Sequence, residues 1–147
     1  VLFLTGLDDF VFTDRAVANL QRFLAGGGTL LVINGLGLKT FDVAVRRELA
    51  RLLPEARLAP IPVDHPLFSA AVPLVQVRYT PAVAKLHPEL TAPALEGIVL
   101  GGDLRVIYSP YDVEAGWTGC EHPLCRGLEP DSALVLGMNM VMYAATH

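Results

Sequence analysis

The chain has 147 residues, 52% hydrophobic and 18% charged, with a formal net charge of −4. This length predicts one domain with a substantial core. The acidic balance argues against a nucleic-acid partner, which needs a basic surface, and no apolar run reaches the roughly 18 residues that span a bilayer. Because the chain starts at Val1 inside a strand-like run, without signal peptide or initiator methionine, we interpret it as a piece of a longer protein. Its apolar content then indicates a missing neighbour, either a further strand and helix or a partner subunit.

The amino-terminal part has the pattern of a strand, a helix and a second strand. Residues 1–5 (VLFLT) and 30–33 (LLVI) are continuous apolar runs, which predict two buried parallel strands. Between them Thr13 is a good N-cap for an amphipathic helix, and the glycines at 26–28 provide its left-handed end. This order predicts a βαβ unit with a right-handed crossover.

A second helix, capped by Thr40 or Asp42, is predicted to run to about residue 53, just before Pro54. A proline-rich loop follows over residues 57–73. Residues 74–79 alternate apolar and polar side chains, which predicts a half-buried strand, antiparallel or at an edge.

The rest of the chain contains one clear hairpin and one clear helix. Residues 80–95 carry three prolines and are predicted to be irregular. Residues 97–108 form a predicted β-hairpin around a glycine-rich turn. Residues 109–125 show no periodicity, and Pro130 opens a last helix with apolar residues at helical spacing.

The pattern of strands predicts where a binding site lies. Asn34, Gly35 and Gly37 follow the central strand, at the edge where open α/β sheets bind ligands. Asp8 and Asp9 follow the first strand, next to the expected position of Asn34. Paired carboxylates at strand ends bind metals or act as acid and base. The alternative is an ordinary turn, in which Asp is a favoured residue.

Two more candidates combine a carboxylate with a basic side chain. Asp42 and Arg46, four residues apart on a predicted helix, form either a surface ion pair, the version we favour, or an Arg directed at an anionic ligand. His65 follows Asp64 in the DHPLF motif, and a neighbouring carboxylate tunes the proton affinity of an imidazole. A histidine hydrogen-bonded to the loop backbone is the commoner outcome.

The loop YSPYDVEAGW, residues 108–117, follows a buried strand, and long irregular loops often carry function. Its candidates are Tyr108, Asp112 and Trp117, with the tryptophan as a stacking platform. Aromatic residues also serve simply to cover a hydrophobic flank.

Cys120 and Cys125 form either a disulfide, in an exported protein, or two thiols, in a cytosolic one. With His122 they supply three zinc ligands, but a structural site needs four and a second pair is missing. No metal and no cofactor is therefore predicted. The glycines at 26–28 are not a phosphate loop either, because they follow a helix and precede a strand.

Several separated blocks match one known family in the same order. The blocks are LTGLDDFVFTD, LQRFLAGGGTLLVI, FDVAVRRELARLLP, DHPLF, LEGIVLGGDLRVIYSPYD, GW and ALVLGMNMVMYAATH. With them the chain resembles the domain of unknown function 4159 family from Leu4 to about Thr146. That family looks like a branch of the class I glutamine amidotransferase-like superfamily, with a flavodoxin-like doubly wound sheet. The resemblance implies bacterial origin, frequently in exported or membrane-attached proteins, and no established reaction.

The chain departs from that superfamily at the position that matters for catalysis. Active amidotransferases carry a nucleophilic cysteine in a glycine-flanked turn after a central strand, and a histidine and a glutamate later. The matching turn here, after Ile33, holds Asn34, and an amide cannot replace a thiolate. We therefore do not expect glutamine hydrolysis.

The sequence predicts a single three-layer α/β domain over residues 1–147, with a mostly parallel sheet and an antiparallel β-hairpin. The favoured function is a non-catalytic binding or interaction module of a larger bacterial envelope-associated protein, whose partners are other domains of the same chain or other proteins. Its pocket is expected at the strand ends, lined by Asp8, Asp9, Asn34, His65, Asp112 and Trp117. One alternative is a hydrolase with a carboxylate and His65 as acid and base. Another is an obligate homodimer, which would expose an apolar patch on the last helix.

Overall fold

A five-stranded mixed sheet organises the chain in the computed structural model, which describes residues 1–119 and 122–147. The strands are β1 (Leu2–Gly6), β2 (Leu30–Asn34), β3 (Ala59–Pro60), β4 (Glu96–Leu100) and β5 (Asp103–Ser109). The helices are α1 (Asp14–Ala25), α2 (Lys39–Leu52), α3 (Pro81–Ala84), α4 (Glu114–Thr118) and α5 (Pro130–Thr146). Short 3-10 turns cover Gly35–Gly37 and Pro66–Ser69.

The strand order is β1-β2-β5-β4-β3. Strands β1, β2 and β5 are parallel, whereas β4 runs antiparallel to its neighbours β5 and β3. The α/β class and a mostly parallel sheet with an antiparallel hairpin are thereby confirmed. The carboxyl ends of β2 and β5 lie side by side, and the amino end of β4 lies at the same edge, because Glu96 pairs with Tyr108.

The two faces of the sheet carry separate apolar clusters. On one face α1 and α2 cover side chains of β2 and β5, among them Val32 and Val106. On the other face α5 and the segment over residues 61–95 cover Ile33 and Ile107. The alternation of neighbouring residues between the two clusters follows from the two-residue period of a strand.

β2 is the buried parallel strand that its sequence predicts, since all five of its residues are buried. β1 is also parallel, but the prediction that it is buried is wrong. It lies at the edge of the sheet, where Leu2 and Phe3 are 42% and 47% exposed. Both strands have the same continuous apolar pattern, so the difference comes from their place in the sheet and not from their composition.

The ends of the first two helices differ in how they are capped. Thr13 caps α1 as predicted, because its hydroxyl accepts a hydrogen bond from the amide of Ala16, and Gly27 provides the left-handed residue after the helix. α2 has no side-chain cap, so the prediction of Thr40 or Asp42 in that role is wrong. The chain enters α2 through Leu38, whose backbone is bound by a side chain of β2, as described below.

The predicted strand over residues 74–79 is absent as a strand. The segment has no regular secondary structure, and its one ladder contact is an isolated bridge between Tyr79 and Leu128. Its other backbone groups bind loops and side chains, for instance the amide of Val77 to the carbonyl of Thr91. The short helices α3 and α4 also lie in stretches that the sequence predicts to be irregular, because helices of one turn carry no measurable periodicity.

The sequence predicts α5 correctly, but it does not predict the structural role of the buried polar residue Asn139. The Asn139 amide is fully buried and donates to the carbonyls of Phe68 and Val72 at 3.1 and 2.8 Å. Its oxygen accepts from the amides of Ala71 and Val72. Asn139 therefore fixes the loop after the second 3-10 turn against α5. Although α5 is strongly apolar, no helix in the described ranges is long and apolar enough to cross a membrane.

Candidate functional site

The turn that follows β2 is closed by the side chain of Asn34. This side chain is buried, accepts from the amide of Leu38 at 3.0 Å and donates to the carbonyl of Leu38 at 3.0 Å. Within the turn Leu36 has φ 54° and ψ 6°, a left-handed conformation that costs a residue with a β-carbon about 1 kcal/mol or more. Gly37 is also left-handed. The turn is thus short and strained, and the side-chain amide of Asn34 at its start holds the backbone of Leu38 at its end.

Asp112 fixes the same turn from the other side. Its buried carboxylate accepts from the amide of Leu36 at 2.7 Å through one oxygen and from the amide of Ala115 at 2.9 Å through the other. The thiol of Cys125 lies 3.8 Å from the first oxygen. Asp112 therefore joins the turn after β2 to the start of α4. We call Asn34, Asp112 and the backbone of residues 34–38 the strand-end clamp.

A chain of charged side chains lies beside the strand-end clamp. The hydroxyl of Tyr108, on β5, donates to Asp42 at 2.8 Å, and Arg46 Nε donates to the same carboxylate at 3.0 Å. The two terminal nitrogens of Arg46 donate to both oxygens of Glu96 at 2.8 and 2.7 Å. Asp42 and Arg46 thus form the ion pair that their spacing predicts, and a bidentate bond to β4 extends it.

This arrangement fixes the protonation states of its members. The hydrogen bonds from Arg46 to Glu96 hold the pKa of the guanidinium above its ordinary value, against the opposing effect of burial. Burial raises the pKa of the Tyr108 phenol, and its hydrogen bond to Asp42 raises it further. At neutral pH Arg46 is therefore a cation and Tyr108 a neutral hydrogen-bond donor.

A cleft of about 370 Å³ opens at this edge of the sheet. It brings together three predicted residues, Asn34, Asp42 and Arg46, while Tyr108 lies behind them. The rest of the polar lining was not predicted and consists of Lys39, His87, Glu96, Tyr111 and Arg126. The sequence offers one usable signal for these residues, the position of Lys39 directly after the turn. Arg126 is brought in by a backbone bond from its amide to the carbonyl of Leu36, at 3.1 Å.

The cleft has an excess of positive charge in an acidic protein. Arg46 is neutralised by Asp42 and Glu96. Lys39 and Arg126, in contrast, form no ion pair with any other described residue. The amino terminus of α2, where backbone amides point out of the helix, lies at the same place and adds to the positive potential. The cleft is therefore suited to a negatively charged ligand.

The comparison with known families agrees with the resemblance seen in the sequence. The profile of the family described as a domain of unknown function (DUF4159) matches residues 1–145. The chain belongs to the DUF4159 family. No curated protein matches the chain significantly.

The two aspartates after β1 do not reach the cleft of this DUF4159 domain. Asp8 and Asp9 are both exposed. Asp9 forms an ion pair with Arg47 of α2 at 2.9 Å, and Asp8 makes no contact of this kind within the described parts of the chain. Their separation from Asn34 follows from the exposed edge position of β1, after which the chain turns out toward α2.

His65 lies at the amino ends of the parallel strands, on the side of the sheet opposite to the cleft. Its Nδ1 accepts from the amide of Leu67, so it caps the second 3-10 turn, and its ring centroid is 5.3 Å from that of Tyr143 near the end of α5. The end of α5 is bound near the amino end of β5, because Arg105 donates to the carbonyl of His147 at 2.8 Å. Burial lowers the pKa of His65, with a smaller opposing effect of Asp64. His65 is a neutral structural histidine at neutral pH.

Trp117 also lies away from the cleft. Its indole nitrogen donates to the carbonyl of Ala133 at 2.8 Å, and its ring lies directly over Gly137 of α5. The centroid of Phe3, on β1, is 6.2 Å from that of Trp117. Trp117 therefore covers the flank between β1 and α5, which is the structural alternative considered for it.

A second cavity, of about 690 Å³, lies between α3, α4 and the start of α5. Its lining is mostly Ala, Gly, Pro and Leu, with Cys125 and His122 among the polar groups. It is larger than the cleft, but fewer charged groups converge on it. The disulfide and zinc predictions involve Cys120, which is outside the described residues, as is residue 121. Among residues 1–119 and 122–147 no cluster of three His, Cys, Asp or Glu suited to a metal ion is found.

Proposed function

We propose that this DUF4159 domain is a non-catalytic binding module that holds a small anionic ligand in the cleft at the carboxyl ends of β2 and β5. The observation that carries the proposal is the contrast between two sets of side chains around one cleft. Asn34, Asp42 and Asp112 have their polar atoms bound within the fold, whereas Lys39 and Arg126 form no ion pair with another described residue.

The same contrast argues against the hydrolase alternative. A base must reach the proton it removes within about 3 Å, directly or through one water. His65 caps a turn at the opposite edge of the sheet, so it cannot share a water with Asp42 or Asp112. Both oxygens of Asp112 already accept backbone hydrogen bonds, which reduces their use as a base. The cleft therefore does not bring together His65 and a carboxylate, the pair that the hydrolase alternative requires, and recognition of charge is the function we propose for it.

The finer assignment, an amidotransferase-like domain with a flavodoxin-like sheet from a larger bacterial envelope-associated protein, belongs to the same proposal. Support comes from the parallel strands β1, β2 and β5, the helices on both faces and the sharp turn after β2. Asn34 stands where the resemblance expects the nucleophilic cysteine. The scaffold then serves binding, and glutamine hydrolysis is not expected.

Calorimetric titration with inorganic phosphate, sulfate and a small dicarboxylate tests the proposal. We expect saturable binding by the wild-type chain and at least a tenfold loss in Lys39→Ala and in Arg126→Ala, because a charge-assisted hydrogen bond contributes about 1.5–3 kcal/mol. Arg15→Ala is the matched control, since Arg15 is exposed on α1 and has no ion pair in the described structure.

Three results would contradict the proposal. The first is the absence of saturable binding by the wild-type chain for all three anions. The second is an equal loss of affinity in Arg15→Ala and in Lys39→Ala, which would indicate only non-specific attraction to surface charge. The third is chemical turnover of a bound anion, which would show that the module is catalytic.

A further inference from the structure

α5 is apolar around its whole circumference. From Ser132 to Thr146 its sequence contains no charged residue. The side that faces the sheet is buried, with Leu136 and Met140 each about 1% exposed. A helix that is hydrophobic on all sides is normally covered on all sides. The sheet covers only one side of α5, so the opposite side requires a second explanation.

The uncovered side of α5 carries large apolar side chains in one stripe. Leu134, Met138, Val141 and Met142 occupy positions i, i+4, i+7 and i+8 of the helix, and each is between 39% and 54% exposed. Residues at this spacing share one face of a helix. The stripe runs from Leu134 to Met142, about half of the 17-residue helix and a length of about 12 Å at 1.5 Å per residue.

The stripe continues onto the edge of the sheet. Trp117 lies over Gly137 of α5 and remains 37% exposed, and its ring neighbours Phe3 on β1, which is 47% exposed. Side chains of this size present roughly 150–250 Å² each when free, so the whole surface leaves on the order of 500 Å² uncovered. We call this surface the α5 patch, formed by Phe3, Trp117, Leu134, Met138, Val141 and Met142.

We propose that the α5 patch is covered by a second copy of this chain, with α5 packed antiparallel against α5 of its partner about a two-fold axis. An uncharged surface meets its own copy without like-charge repulsion, which the net charge of −4 would otherwise produce. A straight stripe matches itself when it is reversed end to end, so both copies use the same patch in a closed dimer.

Area and helix polarity agree with this occupant. Two copies of the α5 patch bury about 1,000 Å² together, the lower limit for a specific protein interface. Antiparallel packing also places the negative end of each helix dipole beside the positive end of the other. The cleft at the strand ends lies apart from the α5 patch, so dimer formation is independent of the proposed ligand.

Sedimentation velocity of the wild-type chain and two variants tests the dimer. We expect a dimer for the wild type at about 100 µM, well above a micromolar Kd, and a monomer for Val141→Glu, because the substitution buries uncompensated charge in the interface. Val43→Glu is the matched control. Val43 is on the outer side of α2 and is 52% exposed, against 48% for Val141, so the same change there should leave the dimer intact.

Circular dichroism and urea unfolding check that each variant is folded, and Met138→Glu replaces Val141→Glu if the latter is not. A wild-type chain that sediments as a monomer at the highest concentration overturns the proposal. So does a dimer that survives both Val141→Glu and Met138→Glu in the folded state. Wild-type monomers that float with neutral phosphatidylcholine vesicles would overturn it as well, because the patch would then be a membrane-contacting surface.

Discussion

The strand-end clamp makes a sharp prediction for Asp112→Asn, a change of one oxygen for an NH₂ group. The wild-type carboxylate accepts from the amides of Leu36 and Ala115 at 2.7 and 2.9 Å. An asparagine side chain retains one acceptor oxygen. One of the two backbone amides must therefore face its NH₂ group, which is itself a donor. The shape of the side chain is nearly unchanged, and the experiment therefore isolates the hydrogen bonds.

The magnitude follows from the two bonds. A hydrogen bond to a charged group contributes about 1.5–3 kcal/mol, and a neutral one about 1 kcal/mol. Losing one bond and weakening the other should lower the free energy of unfolding by about 2–4 kcal/mol. That is a large share of the roughly 5–15 kcal/mol that holds a typical domain folded. At about 2–4 °C per kcal/mol, the melting temperature should fall by about 5–15 °C.

Urea unfolding followed by circular dichroism measures this loss, and Asp8→Asn is the control. Asp8 also follows a strand end, but it is exposed and makes no described hydrogen bond, so its substitution should change stability by less than about 0.5 kcal/mol. A loss below about 0.5 kcal/mol in Asp112→Asn would refute the argument. Asp112 would then be free for a ligand, and the case for a purely structural carboxylate would be lost.

Two further substitutions probe the turn after β2 and the opposite edge of the sheet. Gly37→Ala should lower the stability clearly more than Gly101→Ala. Both positions have positive φ, but only at Gly37 does a new β-carbon meet the carbonyl of Arg126. Gly101→Ala should cost only about 1 kcal/mol, and equal losses of the two variants in thermal unfolding would contradict this argument. For His65 the folded pKa lies below the ordinary 6.5, so its contribution to stability is complete above pH 6.5 and is lost as the pH falls through the folded pKa. His65→Asn keeps an acceptor for the amide of Leu67, so melting temperatures at pH 8 and pH 5 should differ less than in the wild type, and an unchanged difference would count against this assignment.

The elements that the sequence predicted correctly are those with a pattern complete within the segment. β2 has its apolar run, α1 its cap and stripe, the hairpin its glycine turn, and α5 its helical spacing. The burial of β1 could not be predicted in this way. Its run VLFLT is as apolar as that of β2, but whether a strand is central or at an edge depends on which other strands pair with it.

The candidate site shows the same division. Of the residues expected to line a pocket at the strand ends, Asn34 lies in the cleft, next to Asp42 and Arg46, which the sequence favours as a surface ion pair. Arg126 and His87 were missed, because they come from irregular segments far away in sequence. Their approach depends on bonds such as that of the Arg126 amide to the carbonyl of Leu36, which no local pattern encodes.

The residue type at position 34 can be explained without reference to catalysis. Closing the turn to α2 requires one side chain that donates to the carbonyl of Leu38 and accepts from its amide at the same time. An amide does both, whereas a carboxylate only accepts and a thiol is a weak partner in either role. These two bonds use one of the two N–H protons and one of the two oxygen lone pairs of the Asn34 side chain, and they hold the group in the turn. The same edge of the sheet carries the charges of Lys39 and Arg126, and it is on these charges that our proposal of a binding function depends.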